Sequence, residues 1–328
     1  MSTLITLRDH LATAGGVEAE NVAVVVAQLA AAGTIIAREL ARAALVGQLG
    51  TTGGTNVQGE AVKKLDLWAN DVVVKALSET GLVSTLVSEE MDEPLRLETR
   101  QGGGGSVVCF DPVDGSSNLD INGIVGTIFS IRRGVGTGPD PARQAGTAQI
   151  AAGYIMYGPA TVLVLTTGGG VDGFTLDPAG GEFVRSHARI RIPARGRIYS
   201  VNEGNSSTWD RGVQRYVEHL RTPDPARGRP YSARYVGSLV ADFHRTLLEG
   251  GIFLYPADAS SGRGTGKLRL QYEAAPMSFL AEQAGGRGST GHERIMTIEP
   301  ASIHQRVPLF IGSPEDVALA EDYAAGRR

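Results

Sequence analysis

The 328-residue chain lacks several features that would assign it to a particular class of protein. Its single cysteine, Cys109, excludes an intrachain disulfide, and its apolar neighbours indicate a buried thiol. No apolar run approaches the roughly 20 residues of a membrane-spanning helix, and no basic leader of a secretory signal is present. A formal net charge of -4 gives no general attraction to nucleic acid or to anionic lipid. We therefore expect a cytoplasmic protein whose partners are neither nucleic acids nor membranes.

Hydrophobic spacing predicts a helical N-terminal part followed by a series of strands. Helices are expected over 20–46 and 61–78, and the glycines of 47–59 predict a loop between them. Strands are then predicted at 82–87, 107–110, 127–132, 149–157, 161–166 and 173–176. This succession predicts a largely antiparallel sheet flanked by the early helices.

The pattern changes near 192–194, and strands and helices alternate beyond it. The expected order is a strand at 198–201, helices at 209–220 and 239–248, a strand at 252–255, a helix at 272–283, a strand at 309–312 and a terminal helix. Such alternation predicts a mixed or parallel sheet. The sequence therefore predicts an α/β fold of helix and sheet layers, divided into an N-terminal domain at 1–194 and a C-terminal domain at 195–328.

Two carboxylates follow directly on an apolar strand in the sequence Asp111-Pro112-Val113-Asp114. Pro112 has a fixed φ and no amide hydrogen to compete for an acceptor. A turn here could aim both carboxylates and the Val113 carbonyl at one point, and such hard oxygen ligands suit Mg²⁺. The alternative is an ordinary Asp-Pro turn followed by an Asp-Gly cap.

The residues after this acidic segment are typical of a phosphate site. Gly115 allows close approach of the backbone, and Ser116 and Ser117 are expected to open a helix. Amides at a helix start bind anions. One short segment could therefore hold both a metal ion and a phosphate.

The segment 110–118 resembles the metal-dependent, lithium-sensitive phosphatases, a superfamily that includes inositol monophosphatases and fructose-1,6-bisphosphatases. Further blocks resemble class I fructose-1,6-bisphosphatases specifically, and they follow in order from about residue 35 to the C-terminus: 54–57, 62–66, 86–90, 126–129, 151–154, 202–204, 233–238, 251–256 and 266–270. The resemblance implies the sugar-phosphatase fold and a phosphoric monoester hydrolase.

The resemblance also implies the residues of a metal site. It gives the metal ligands as Glu60, Glu89, Asp111, the Val113 carbonyl, Asp114 and Glu273. Glu60 stands where the family often has aspartate, and its extra methylene makes it the least typical ligand. Asp66 and Glu90 match acids that orient or deprotonate the attacking water. Glu89 is expected to be catalytic as well as a metal ligand. Taken alone, each of these acids would be a solvated surface charge.

Substrate contacts follow from the same resemblance. Residues that match contacts to the second phosphate and the sugar are Asn202, Tyr235, Tyr255 and Lys267, with Arg269 two positions further on. Arg234 matches a residue that reaches the site of a neighbouring subunit. Asp114, Gly115, Ser116 and Ser117 are expected to bind the first phosphate. The first domain is thus expected to bind metal and phosphate, and the second domain the substrate.

The implied reaction is hydrolysis of the 1-phosphate of D-fructose 1,6-bisphosphate by water activated by Mg²⁺, in gluconeogenesis or the Calvin cycle. Two or more ions per site are expected, with Mn²⁺ as a substitute, in a homotetramer built as a dimer of dimers. The segments near 19–21 and 105–106 depart from the family's nucleotide site, which predicts weak or absent inhibition by AMP. Alternatives are a sedoheptulose-1,7-bisphosphatase, an enzyme that accepts both sugars, an inositol phosphatase, or an inactive regulator that binds a metabolite.

Overall fold

A computed structural model describes residues 4–13, 15–55, 61–100, 105–134, 140–258 and 266–328 of the chain. The N-terminal half begins with helices and a short hairpin: α1 (Leu7–Ala12), α2 (Val17–Leu40), β1 (Thr51–Thr55), β2 (Ala61–Lys63) and α3 (Lys64–Ser78). Strands then follow one another: β3 (Val83–Ser88), β4 (Leu95–Arg96), β5 (Ser106–Asp114), β6 (Val125–Arg132), β7 (Gln149–Tyr157), β8 (Thr161–Thr166), β9 (Asp172–Leu176) and β10 (Phe183–His187).

The C-terminal half alternates between strands and helices. Its elements are β11 (Ile198–Ser200), α4 (Arg211–Arg221), β12 (Ser232–Ala233), α5 (Leu239–Glu249), β13 (Ile252–Tyr255), β14 (Leu268–Arg269), a π-helix (Leu270–Ala274), α6 (Ala275–Gln283), β15 (Arg287–Ser289), β16 (Arg306–Val307), β17 (Leu309–Gly312) and α7 (Pro314–Ala324).

Strands β3 to β10 form one eight-stranded sheet in the order β10-β9-β8-β7-β6-β5-β3-β4. Neighbouring strands are antiparallel except β3 and β5, which run parallel with Ser88 opposite Phe110. Cys109 is buried within β5, as the sequence predicts. Because parallel strands end at the same edge of a sheet, Glu89 follows β3 beside the acidic end of β5.

Helix α2 packs against this sheet through an apolar side. Val25, Val26 and Leu29 are buried on that side. Gly33 permits the close approach to β7, because a Cβ there would lie 2.3 Å from Ile155 Cδ1. By length and composition α2 could also cross a membrane, but a core helix of a soluble protein meets the same criterion, so this is a weak indication.

The second sheet is mixed and has the order β12-β11-β13-β17-β15. Strand β11 is parallel to β12 and β13, whereas β17 is antiparallel to β13 and β15. One apolar cluster joins the two halves: Ile128 and Tyr154 of the first sheet share it with Phe243 of α5 and Met277 of α6. The predicted α/β fold is confirmed, with a largely antiparallel sheet followed by a mixed one. The boundary at 194/195 lies between β10 and β11 and stays a prediction.

The segment 47–59, which its glycines predict as a loop, contains a strand. Thr51–Thr55 pairs antiparallel with Ala61–Lys63, so the helix predicted from 61 begins only after this hairpin. Asp120 holds the hairpin in place, since its carboxylate accepts a hydrogen bond from the Gly50 amide at 3.0 Å and pairs with Lys63. The loop prediction was wrong because the sequence of 47–59 does not indicate that Asp120, far along the chain, binds the hairpin.

Two helix boundaries also differ from the prediction. The helix expected to reach 46 ends at Leu40, where the amides of Arg42 and Ala43 bond to carbonyls three residues back and the chain turns away. The helix expected over 272–283 starts as the π-helix Leu270–Ala274 before it continues as α6.

Candidate active site

The acidic segment 111–114 is a bulged end of β5 rather than a turn. Asp111 pairs with Ile128 of β6 and Asp114 pairs with Gly126, so one extra residue is inserted on β5. Side chains three apart on a regular strand face opposite sides of the sheet, and a bulge cancels that difference. The predicted turn was therefore wrong in form, although both carboxylates do face the same cleft.

Hydrogen bonds stabilise the bulge. The Val113 amide donates to Asp111 Oδ1 at 3.0 Å. The Thr127 hydroxyl donates to the Pro112 carbonyl at 2.8 Å and lies 2.8 Å from the Tyr157 hydroxyl. The segment that carries the two carboxylates is thus fixed from its own strand and from the neighbouring strands.

A third carboxylate joins the two of the bulge. Carboxylate oxygens of Asp111, Asp114 and Glu273 lie within 4.8 Å of one another, and all three residues are buried. Glu273 comes from the π-helix and accepts a hydrogen bond from the Arg269 amide at 2.6 Å. Buried oxygens this close together form a plausible ligand set for a hard divalent cation.

Arg269 connects this cluster to Glu89. Its guanidinium Nη2 lies 2.6 Å from Glu89 Oε1, and Nη1 lies 3.7 Å from Glu273 Oε2. Arg269 is itself buried. The sequence grouped Arg269 with the substrate contacts, and the structure shows that it also pairs with two of the predicted metal ligands.

Burial and mutual repulsion make the acidic groups hard to ionise. Burial, and after it the charge of Glu89, raises the pKa of Asp111 well above its ordinary value. Burial likewise raises the pKa of Asp114 to about 6, although the Val240 amide opposes the shift. Burial raises the pKa of Glu273 to about 8 against the opposing charge of Arg269. A bound cation would relieve this repulsion, so the residues present fit a divalent metal ion.

The N-terminus of α5 holds the other side of Asp114. The Ser238 hydroxyl donates to Asp114 Oδ2 at 2.7 Å, and the amides of Val240 and Leu239 donate at 2.9 and 3.3 Å. Ser238 is also the N-cap of α5. Ser238 ends the block 233–238 that resembles the family, but no role was predicted for it, although a serine directly before a predicted helix is a capping signal.

All the predicted substrate residues except Arg234 line one cleft of about 310 Å³ together with the carboxylates. Lys267 and Asn202 are exposed at the cleft, Tyr235 is 41% exposed and Tyr255 is partly buried. The cleft also contains residues that the sequence did not single out: Gly237, Ser238, Leu239, Phe253 and Leu268. A cationic group and several polar groups therefore share a cleft with the buried acids.

Gly115 and the two serines line the cleft directly after Asp114. Gly115 has φ 75°, and a Cβ there would lie 2.6 Å from Ser238 Cβ, so the position requires glycine. Ser116 opens a helix, as expected, and this helix is a 3-10 helix of six residues, Ser116–Ile121. Both Ser116 and Ser117 line the cleft.

Three predicted site residues that the structure describes do not line this cleft. Asp66 is buried on α3, and burial, followed by the charge of Glu89, raises its pKa to about 7, so it lies within electrostatic reach of the acids. Glu90 is partly buried just after β3. Arg234 is exposed and donates to the Ala233 carbonyl at 2.7 Å. Glu60 lies outside the described residues.

Comparisons with known proteins agree with this geometry. A family model for the fructose-1-6-bisphosphatase N-terminal domain matches residues 8–188, and one for the C-terminal domain matches residues 192–325. Class 1 fructose-1,6-bisphosphatase from Chloroherpeton thalassium is 52% identical over 92% of this chain and 86% of its own length. That from Chlorobium chlorochromatii is 48% identical over the whole of both chains. The crystal structure of Leishmania major fructose-1,6-bisphosphatase in holo form has a TM-score of 0.91 and 39% identity, over 98% of this chain and 99% of that one. The chain therefore belongs to the class I fructose-1,6-bisphosphatase family.

Proposed function

We propose that this protein hydrolyses the 1-phosphate of D-fructose 1,6-bisphosphate to fructose 6-phosphate and inorganic phosphate. One observation carries the proposal: three buried carboxylates converge at a cleft whose wall also carries Lys267, Tyr235 and Tyr255. Acids of this kind can hold a metal ion at one phosphate, while a cation and hydroxyls further along can bind a second phosphate and the sugar. A substrate with a phosphate at each end suits this arrangement.

We further propose Mg²⁺ as the ion, in two or more copies and with Mn²⁺ as a substitute. Glu89, Asp111, Asp114, Glu273 and the Val113 carbonyl would hold it, with Glu60 as an additional ligand. When bound, such an ion lowers the pKa of a coordinated water and neutralises charge on the phosphate and the leaving oxygen. The buried oxygens of Asp111, Asp114 and Glu273 support this proposal.

The chain's own residues would then position the reactants. The backbone from Gly115 to Ser117 and the two serine hydroxyls would bind the 1-phosphate oxygens. Asp66 and Glu90 would orient the attacking water and accept its proton. Asn202, Tyr235, Tyr255 and Lys267 would bind the second phosphate and the sugar, with Arg269 beside the acids. Positioning and charge neutralisation supply most of the catalysis of phosphoryl transfer, so no protein nucleophile is required.

We also propose a homotetramer, built as a dimer of dimers in which Arg234 reaches the site of a neighbouring subunit. The proposed location is the cytoplasm, and the proposed pathway is gluconeogenesis or the Calvin cycle. The exposed side chain of Arg234 is consistent with such a contact. An outward apolar stripe on α2 offers a further surface, with Val24 45% and Ile35 48% exposed. Sedimentation velocity of the purified chain, together with its phosphate release, tests this. A chain that sediments as a monomer and is fully active would contradict the proposal.

Phosphate release in Mg²⁺ from fructose 1,6-bisphosphate, sedoheptulose 1,7-bisphosphate and inositol 1-phosphate, measured in parallel, tests the function. We expect release from the fructose substrate, and none or little from inositol 1-phosphate, which lacks the distal phosphate. Equal or faster release from the sedoheptulose substrate would favour that enzyme instead. No release from either sugar bisphosphate would leave the inactive regulator as the better description.

A further inference from the structure

Arg132, at the end of β6, is a buried cation for which the proposed reaction has no use. Its side chain is fully buried. Burying a charge without a carboxylate partner costs several kcal/mol unless other groups compensate. Among the described residues no carboxylate forms a salt bridge with Arg132, and its Nε has no hydrogen-bond partner. Because burying this guanidinium costs free energy, we looked for a structural role in the groups that it contacts.

The acceptors of Arg132 identify that role. Nη2 donates to the main-chain carbonyl of Gln271 at 3.1 Å, and Nη1 donates to the Gln271 side-chain oxygen and to the Gln144 carbonyl. The other end of the Gln271 amide donates to the Ala142 carbonyl at 2.7 Å. Arg132 therefore binds both the backbone and the side chain of one residue in the π-helix that carries Glu273.

The Gln271 carbonyl needs this donor because of the local sequence. Inside a helix it would accept from the amide of residue 275 or, in the wider π turn, from residue 276. The Ala275 amide already donates to the Leu270 carbonyl, and residue 276 is proline, which has no amide hydrogen. A buried carbonyl without a donor costs about 1–3 kcal/mol. The guanidinium of Arg132 takes the place of the missing amide of Pro276.

A neighbouring strand holds the same junction. Gln149 of β7 lies opposite Arg132, and its amide nitrogen donates to the Ala275 carbonyl at 3.1 Å and to the Gly146 carbonyl at 2.9 Å. The turn between the π-helix and α6 is thus bound from two adjacent strands of the first sheet. If the π turn changed into a regular α turn, the hydrogen-bond register would shift by one residue, and the side chains on one side of the turn would rotate by about 100° relative to those on the other side. That rotation would move Glu273 away from Asp111 and Asp114.

We propose that Arg132 is a positioning residue for the metal site: its guanidinium stabilises the π turn by replacing the amide that Pro276 lacks, and so keeps Glu273 aimed at the two aspartates. The inference rests on the proposed metal site and assigns it a residue outside the cleft. Arg132 touches neither substrate nor metal in this account, and it acts through Gln271.

The test is a double-mutant comparison that restores the missing donor. Mn²⁺ binding to the full chain without substrate is measured by electron paramagnetic resonance for the unmodified chain, Arg132→Met, Pro276→Ala and the double variant. We expect Arg132→Met to weaken Mn²⁺ binding about tenfold, as is typical when a group that orients a metal ligand is lost. Pro276→Ala alone leaves binding unchanged, because its carbonyl partner is already satisfied. In the double variant the new amide restores most of the affinity.

Arg229 provides a matched control. It is another largely buried arginine that donates to backbone carbonyls, those of His219 and Thr222, and its Nε also lacks a partner among the described residues. Unlike Arg132, it also pairs with a carboxylate, that of Asp224, at 2.7 Å. Arg229→Met is expected to lower stability and to leave Mn²⁺ affinity unchanged. If Arg132→Met does not fold by circular dichroism, Arg132→Lys replaces it in the same comparison, since it keeps the charge and loses the forked donors.

Unchanged Mn²⁺ affinity in the folded Arg132 variant, or no recovery on adding Pro276→Ala, would overturn the inference. An equal loss of affinity in Arg229→Met would overturn it as well, since the effect would then follow from lost stability alone. If the unmodified chain binds no Mn²⁺, the proposed metal site itself is wrong and the inference falls with it.

Discussion

Replacing Ser238 by alanine should damage both the stability and the activity of the protein. The hydroxyl donates to Asp114 at 2.7 Å and caps α5 by accepting from the Ala241 amide at 3.4 Å. A lost N-cap costs about 1 kcal/mol, and a lost hydrogen bond to a carboxylate about 1.5–3 kcal/mol. The amides of Val240 and Leu239 would still bind Asp114, so the two terms do not add in full. We expect about 2–3 kcal/mol of lost stability.

Asp210→Ala separates the two terms of this loss. Asp210 caps α4 by accepting from the Val213 amide at 3.0 Å and does not line the cleft. This control should lose about 1 kcal/mol, as a cap alone does, and keep its kcat/KM. Urea unfolding at pH 7 measures the stability of both variants, and phosphate release in Mg²⁺ measures their activity.

Activity distinguishes the variants more sharply than stability. Ser238→Ala should lower kcat/KM about tenfold or more, because Asp114 loses one of the groups that aim it into the cleft. Ser238→Thr keeps a hydroxyl and should recover much of the loss. If Ser238→Ala matched Asp210→Ala in both stability and kcat/KM, the hydrogen bond to Asp114 would have no functional importance and the reasoning would be refuted.

Three further predictions concern other parts of the molecule. Gly115→Ala should abolish most turnover, because φ 75° disfavours alanine and its Cβ would collide with Ser238; near-normal kcat would contradict this. Inhibition by AMP should be weak or absent, because the segments near 19–21 and 105–106 depart from the family's nucleotide site; inhibition at micromolar AMP would refute this. Burial lowers the pKa of His244 to about 4, so the contribution of this side chain to stability should be complete above pH 6.5 and fall by about 3 kcal/mol as the pH drops to 4. The raised pKa values of Asp114 and Glu273 act in the opposite direction, so the test is the difference between the unmodified chain and His244→Gln. Urea unfolding at pH 4 and 7 should show that the unmodified chain loses about 3 kcal/mol relative to the variant between these pH values, and equal changes in both chains would contradict it.

The residue types of the candidate site could be predicted from the sequence, but their geometry could not. Asp111 and Asp114 were chosen because carboxylates after an apolar strand suit a metal ion. Their spacing of three would put them on opposite faces of a regular strand, and only the pairing with β6 reveals the bulge that brings them together. Glu273 was identified by resemblance alone, because the π turn that aims it depends on contacts with β6.

The fold shows the same division between local and distant information. Long periodic elements such as α3, α5 and β7 were predicted within a few residues, because their apolar spacing is a local property. The hairpin of Thr51–Thr55 was missed because glycine and threonine carry no apolar pattern and Asp120 holds it from far along the chain. The capping role of Ser238 was visible in the sequence, but its bond to Asp114 joins residues 124 apart.

The central claim is that the buried acids of the cleft support metal-dependent release of a sugar phosphate. Phosphate release from fructose 1,6-bisphosphate, with and without Mg²⁺, tests it most directly when the unmodified chain is compared with Asp114→Asn. We predict release that requires Mg²⁺ in the unmodified chain and is lost in a folded Asp114→Asn variant. Release without any divalent ion, or near-full activity of Asp114→Asn, would contradict the account.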